Sequence, residues 1–462
     1  MQAARFCALP AQPATPATGS LHRVLGSAFG LAIVVGGVIG VGILRAPGEV
    51  ASRLPTVTLI IGAWILGGLY ALLGANSAAE LGAALPRTGG FFVYVRRAFG
   101  PFPAFVTGWA DFLSSCASAT TGALIIGEYS GRIVPALRGG TTTVLIALVV
   151  LLWFGWLQSR GVKEGDRVQQ FTSALKAILL IGLILACLFS GSRAADTVAP
   201  PALPSGLAFW GALVLALQGI IYAYDGWYFP IYFGEEMANP GREIPRAMIR
   251  GILLIILIYV LINVAVLVVL PVGRLAGEPL AVGAAMGVVF GPRGDLVVAA
   301  VAILTMPSAL NASLMSATRT IFAMAREGLV RAPALTGVSE SGTPRPALAL
   351  TVALSVAFLL TGTVERLLAV VSFFYVANYV AAFLSVFVLR KREPNLPRPW
   401  RAWGHPWTTG IVLAGSLAFL GGVVAGDTRN SLISLACIVA SIPLFYLFRV
   451  PPGATSPPPP PG

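Results

Sequence analysis

The chain has 462 residues, enough for about three soluble domains, but 56% of them are apolar, only 11% are charged and the mean hydropathy is +0.84. A soluble domain carries about 25% charged residues, so this composition excludes a water-soluble fold and implies an all-α polytopic membrane protein. The net charge is +13, yet the bases sit in short gaps between apolar runs, which excludes a nucleic-acid face built from clustered bases.

The first twenty residues, MQAARFCALPAQPATPATGS, lack the apolar run of a signal peptide, and residues 1–22 read as a disordered cytoplasmic tail. Twelve apolar segments follow at 24–51, 56–84, 98–128, 141–158, 166–190, 205–235, 247–271, 281–318, 346–362, 366–389, 407–426 and 431–449. Each is near the roughly 20 residues that a helix needs to cross a bilayer. They define a membrane domain over 23–449, and residues 450–462 form a proline-rich tail. If the N-terminus is cytoplasmic, 21 Lys and Arg fall on that side and 9 on the other. That is the bias of the positive-inside rule. It predicts twelve spans in the cell membrane with both termini cytoplasmic, and it explains the basic surplus without nucleic acid. Arg outnumbers Lys 28 to 3, a bias that hints at a GC-rich bacterial genome, and the expected location is a bacterial inner membrane. His22 and His405 are the only histidines, so neither a His-based metal site nor a Ser-His-Asp triad is expected, and no cofactor or metal is predicted.

Two segments are interrupted. Segment one contains GGVIGVGIL, with Gly36, Gly37, Gly40 and Gly42 in mid-span and Pro47 soon after. Segment six contains QGIIYAYDGWYFP, broken by Gly219, Asp225, Gly226 and Pro230. Glycine disfavours a helix interior, and aspartate is costly in lipid. Such breaks also arise where glycines let helices pack closely, as Gly26/Gly30 and Gly36/Gly40 could. However, segments one and six lie five spans apart and so run in opposite senses, and paired breaks at matching places in inverted halves point to a transport site. A half-helix starting near Gly42 would offer free N–H groups to a carboxylate. Gly40 and Gly42 would let a ligand approach the backbone, and Val41 adds no competing charge. Carbonyls near Val38 and Ile39, and near Tyr222 and Ala223, would accept from an ammonium group. Donors for an anion beside acceptors for a cation suit an α-amino acid. Tyr222, Tyr224 and Trp227 could cover it, or could serve as core filler. Asp225 could pair with a cationic substrate or cap the second half of segment six, the cap being a usual place for Asp. Glu80, near the cytoplasmic end of segment two, reads as structural, and the role of Asp111 stays open.

These residues resemble the amino acid–polyamine–organocation (APC) superfamily of permeases. The likeness runs from about residue 24 to about 449 through GGVIGVGI (36–43), AELGAALPRTGGFFVYVRRAFG (79–100), YAYDGW (222–227), EEMANPGREIPRA (235–247), RTIFAMAREG (319–328) and LRKREPNLPRPWRAWGHP (389–406). The resemblance implies a LeuT-type fold of two inverted five-helix repeats, over about 24–190 and 205–389, followed by two extra helices over about 407–449. It also implies that Val38, Val41, Gly42, Tyr222, Ala223 and Asp225 lie at the substrate, with Tyr222 as a gate. Val41 stands where many relatives have Ser or Thr, and Tyr228 where many have Asn, which bears on which substrate is carried.

Lys176 is the one lysine inside an apolar segment. It shares a helical face with Gln169, Thr172 and Ser173, spaced i, i+3, i+4 and i+7, so that face should look inward. A mid-helix Lys costs about 2.5–3.5 kcal/mol on insertion scales. It could snorkel toward the surface, or it could be a buried amine that gains and loses a proton. In the proton-coupled and sodium-independent permeases that the chain resembles, a Lys at the matching place stands where sodium-coupled relatives hold a cation. The resemblance therefore implies Na⁺-independent transport, with Lys176 either coupling to protons or acting as a fixed charge that links segments five and one. The expected activity is secondary transport of an α-amino acid by alternating access, by exchange or with protons, amid membrane lipids and without ATP, since no Walker A motif is present. A polyamine or organic-cation permease of the same superfamily is the alternative, with a channel or a transport-inactive receptor behind it. A membrane-embedded enzyme would need clustered nucleophiles or metal ligands that the sequence lacks.

Overall fold

The computed structural model describes residues 21–40, 42–361, 364–426 and 428–448. Val41, the C-terminal tail and all but the last two residues of the N-terminal tail lie outside the described residues.

The chain folds into helices, in order α1 (Ser27–Val38), α2 (Gly42–Arg53), α3 (Val57–Ala84), α4 (Phe91–Phe99), α5 (Pro101–Ile133), α6 (Gly140–Ser159), α7 (Val162–Phe189), α8 (Leu207–Ala223), α9 (Pro240–Val269), α10 (Val272–Leu275), α11 (Ala281–Phe290), α12 (Gly294–Arg326), α13 (Arg345–Thr361), α14 (Val364–Arg392), α15 (Trp407–Gly426) and α16 (Thr428–Phe448). Among the described residues the extended pairings are two isolated bridges, Leu25 with Met237 and Thr88 with Phe233. Eight helices are long and apolar enough to cross a membrane, or nine if α1 and α2, bent by 47°, make one span. The other expected spans are held by α5, which is long, and by α8 and α13, of 17 residues each. Every one of the twelve apolar segments therefore contains a helix, although length and apolarity by themselves vouch for eight or nine.

Local chemistry explains several boundaries. Thr56 caps α3 by accepting from Leu59 N. Pro101 opens α5, where its missing N–H costs nothing. Segment six differs from a continuous span: α8 ends at Ala223, a turn follows through Gly226 at φ +108°, and a single 3-10 turn covers Phe229–Tyr232. An L-residue with a side chain rarely adopts that φ, so glycine is needed at 226.

The helices pack as a bundle in which α12 lies along α5, and α3 along α9. Polar side chains tie the interior together. Gln158 of α6 donates to Asn311 of α12 at 2.9 Å, Asn311 donates to Gln169 of α7 at 2.9 Å, and Ser173 donates to Ala32 O of α1 at 2.8 Å. In hydrocarbon such groups have no water to turn to, so each bond fixes the relative position of two helices.

Candidate functional site

Both breaks open onto one cavity of about 280 Å³. From the first break come Gly37, Val38, Gly40 and Gly42, and from the second Tyr222, Ala223 and Asp225. Its wall runs out along α2 past Arg45 and Glu49, both exposed. Helix α2 starts at Gly42, in the cavity wall, and the first N–H groups of a helix have no partner within it and carry the positive end of its dipole. An added Cβ at Gly40 would meet nothing closer than Val38 O at 4.0 Å, so the backbone there is bare to the cavity. Gly42 is small for another reason: its Cβ would lie 3.0 Å from Ala223 Cα. The two broken helices touch at that point.

Not every residue expected at the site reaches it. Ile39 is 1% exposed and its carbonyl faces Lys176. Tyr224 is buried between Trp64 and Tyr259, donating to Trp64 O at 3.2 Å. Trp227 stacks on Tyr379 and Phe383. All three are absent from the cavity wall; the turn after Ala223 puts Tyr224 and Trp227 into the helix contacts behind it, and Ile39 is buried at the end of α1. The N-cap role of Asp225 is also corrected. The helical turn that follows begins only at Phe229, after Tyr228, and has no side-chain cap. Asp225 instead accepts from Tyr228 Oη at 3.2 Å and from Tyr379 Oη, while bordering the cavity.

The carbonyls expected to receive an ammonium group already have donors. Tyr259 Oη of α9 lies 3.2 Å from Val38 O and 2.9 Å from Ala223 O, so its single hydrogen is shared between the carbonyl ends of α1 and α8. Tyr222 O accepts from Asp225 N at 3.2 Å. Lys176 Nζ donates to Gly36 O at 2.8 Å and to Ile39 O. Lys176 is therefore wholly buried and does not snorkel. Gln169 and Ser173 of the same face are buried with it and reach α1, whereas Thr172 is only partly buried and turns back to Val168 O. A carbonyl oxygen has a second lone pair, so Val38 and Ala223 can still accept, and Asp225 adds a carboxyl group to the wall.

Sequence reasoning missed the opposite wall. Ser118, Thr121, Gly122 and Ile125 of α5, Met306, Ala309 and Ser313 of α12, and Tyr375 of α14 complete the cavity, with Ser118 and Tyr375 joined hydroxyl to hydroxyl at 2.9 Å. The small residues of α5 (SSCASATTGA) are a visible run, but a run of small residues reads equally as helix packing. Among the described residues no three His, Cys, Asp or Glu gather to hold a metal ion.

The face of the bundle where α1 begins, the N-terminal face, is shut beneath the cavity. Phe229 lies against Gly37, whose Cβ would be 2.3 Å from its ring. Below it Tyr232 donates to Asp111 at 2.8 Å, and Arg319 makes a two-pronged ion pair with Glu236 at 2.9 and 2.8 Å, both side chains buried. Further out Glu235 pairs with Arg326, and Glu327 with Arg87 and Arg96.

A paired helix break around a closed-bottomed cavity is the geometry of a carrier, and the comparisons with known proteins agree. Residues 27–447 match the family described as amino acid permease. The chain belongs to that family. It is 32% identical over 432 residues to the serine/threonine exchanger SteT of Bacillus subtilis, covering 92% of this chain and 97% of that protein. It is 28% identical over 440 residues to the b(0,+)-type amino acid transporter 1 of Oryctolagus cuniculus, covering 94% and 89% of the two chains. It is 30% identical over 415 residues to the large neutral amino acids transporter small subunit 2 of Homo sapiens, covering 84% and 74%. This permease is thus a multi-pass membrane protein whose relatives are amino acid transporters.

Proposed function

We propose that this permease exchanges α-amino acids across the membrane by alternating access. The observation that carries the reading is the cavity formed where α1/α2 and α8 break, with the N–H groups of α2 on one side and Asp225 on the other. The substrate carboxylate docks at the start of α2 and its ammonium group lies toward Val38 O and Asp225. The side chain then meets Ser118, Thr121, Gly122, Ala309 and Ser313, which are small and partly hydroxylated. That lining suits a small neutral amino acid and accords with the serine/threonine exchanger among the relatives. Tyr222, half-buried at the wall, is the ring that closes over the ligand.

Lys176 holds its ammonium against the unwound end of α1, where a sodium ion would otherwise neutralise the carbonyls, so the exchange is Na⁺-independent. Twelve spans in an inverted five-plus-five arrangement, a cell-membrane location with both termini cytoplasmic and a bacterial inner membrane complete the reading. The N-terminal face is then the cytoplasmic one, and the conformation is open to the outside. The chain is a carrier rather than an enzyme.

A second reading, a carrier for cationic amino acids or polyamines, is favoured by Asp225, which accepts from two tyrosines and from no arginine or lysine among the described residues. Counterflow of labelled serine in proteoliposomes, chased by a panel of neutral and cationic amino acids and putrescine, tests both. Acceleration by small neutral amino acids, unchanged when Na⁺ is replaced, is expected. Counterflow with none of the panel by folded protein would overturn the carrier reading, and a preference for the cations would favour the second.

A further inference from the structure

Three carboxylates are buried to 1% exposure or less among the described residues: Glu80, Asp111 and Glu236. Glu80 is paired with Arg390 and Arg398, and Glu236 with Arg319. Asp111 has hydroxyl partners instead. Its Oδ1 is 2.8 Å from Tyr232 Oη, and its Oδ2 is 3.2 Å from Thr320 Oγ1. It is not part of the cavity wall, so no substrate charge reaches it in this conformation.

The hydrogens around it can be counted. Thr320 Oγ1 also lies 3.1 Å from Ser316 O, a carbonyl that can only accept. With Asp111 ionised, the hydroxyl hydrogens of Tyr232 and Thr320 would have to serve all three contacts. With a proton on Oδ2, each contact has its own hydrogen: Tyr232 donates to Oδ1, Asp111 donates to Thr320 Oγ1, and Thr320 donates to Ser316 O. The surroundings bring no cation that would change the count. Arg319, next to Thr320 on α12, is committed to Glu236 and Met315 O. Tyr375 of α14 is bonded to Ser118. Tyr228, in the turn before Tyr232, is bonded to Asp225. Helix α6 has no charged side chain, Arg96 and Arg97 of α4 are paired with Glu327 and Glu393, Arg345 of α13 donates to Ser159 O, and Arg429 lies in the first turn of α16. On its own helix, Cys116 faces Thr351 O and Ser114 bonds back to Asp111 O.

We propose that Asp111 is a proton-binding residue of the transport cycle, protonated while the N-terminal face is closed and deprotonated when that face opens. The contacts join α5, the 3-10 turn after the second break and α12, which are elements that must separate for the cavity to open on that side. Separation takes Tyr232 and Thr320 away and admits water. The proton then leaves Asp111 for that water, and it must be regained before the three elements can close again. This inference rests on the carrier reading for its consequence in transport, but the protonation itself does not.

Two measurements test it. In infrared difference spectra of purified protein, a carboxylic-acid C=O band is expected that disappears in Asp111→Asn. In proteoliposomes, exchange by the native chain should fall severalfold from mildly acidic to alkaline pH. Asp111→Asn, which keeps a neutral side chain, should hold the acidic rate throughout, and Asp111→Glu should keep a pH-dependent profile. No carboxylic-acid band assignable to Asp111, a native profile without pH dependence, or an Asp111→Asn protein with the native profile would each overturn the proposal. If Asp111→Asn fails to fold, Tyr232→Phe serves instead: a shifted pH midpoint is expected, and an unmoved one counts against the proposal. Loss of counterflow in the native chain with the band intact would sink the carrier reading and leave the protonation standing.

Discussion

At Gly40 an added side chain has free space before it, whereas at Gly42 it meets Ala223 Cα at 3.0 Å and Ala223 Cβ at 3.1 Å. The two glycines therefore separate ligand approach from helix contact. Gly40→Val should abolish binding in a protein of native thermal stability, because its bulk enters the cavity. Gly42→Val should lower stability as well, by the roughly 1–3 kcal/mol of an overpacked contact. Ligand-dependent shifts in thermal unfolding measure both effects, and native affinity in Gly40→Val would exclude backbone approach at the first break. Tyr222 and Lys176 can be tried in the same way. Tyr222→Phe should retain most exchange and Tyr222→Ala should lose it while staying folded, since the ring rather than the hydroxyl closes the cavity. Lys176→Met would leave Ile39 O without its charged donor and Gly36 O with only the Ser308 hydroxyl at 3.4 Å, at a cost of about 1–3 kcal/mol for an unsatisfied group. The expected result is loss of exchange with lowered stability, and a native rate in that variant would remove Lys176 from the mechanism.

Among the elements, the broken pairs are held by a third helix. Tyr259 of α9 reaches the carbonyl ends of both α1 and α8, and its ring packs on Trp64 and Tyr224. A single hydroxyl thus sets the spacing of the two breaks. Tyr259→Phe keeps the ring packing and removes only that link. It should slow exchange more than it lowers stability, which is expected to fall by about 1–3 kcal/mol. Equal exchange in detergent-stable Tyr259→Phe would show that packing alone holds the breaks in register. The α7 face acts alongside it, with Gln169, Ser173 and Lys176 all donating to carbonyls of α1 or of the residue just after it. The i, i+3, i+4, i+7 pattern made this inward face legible, because a polar stripe on an apolar helix has to find partners inside the bundle.

For the whole molecule, access to the cavity is decided by layers on the N-terminal face: Phe229 against Gly37, then Asp111 with Tyr232 and Thr320, then Arg319 with Glu236. Arg319 also lies over the Phe233 ring, 5.0 Å from its centre. Removing one partner of a buried ion pair leaves an uncompensated charge, at about 3–5 kcal/mol. Arg319→Met should therefore weaken the closed face, and adding Glu236→Gln should restore part of the loss. Labelling of Ser313→Cys, in the cavity wall, by an impermeant thiol reagent from the N-terminal face is the measurement. Faster labelling in Arg319→Met is expected, and unchanged labelling would show that the pair does not hold the face shut.

The membrane class, the helical segments, the two breaks and the inward face of Lys176 were all determined by the sequence. Each follows from a property that a residue carries along one dimension: apolarity over about 20 positions, glycine within a run, or polar spacing at helical period. The positions of Gly40, Gly42, Tyr222 and Asp225 at the cavity were legible for that reason. The tertiary structure alone decided the wall formed by α5, α12 and α14, the burial of Tyr224 and Trp227 behind the turn, and the partners of Asp225. It also decided which carbonyls were already taken, since Tyr259 and Lys176 reach them from helices distant in the chain. The same holds for the acids: Glu80, Asp111 and Glu236 are all carboxylates in apolar surroundings, and only the tertiary packing gives Glu80 and Glu236 arginine partners and Asp111 hydroxyl ones. In hydrocarbon a polar group takes its character from whatever partner the packing brings to it, and that partner is not written beside it in the chain.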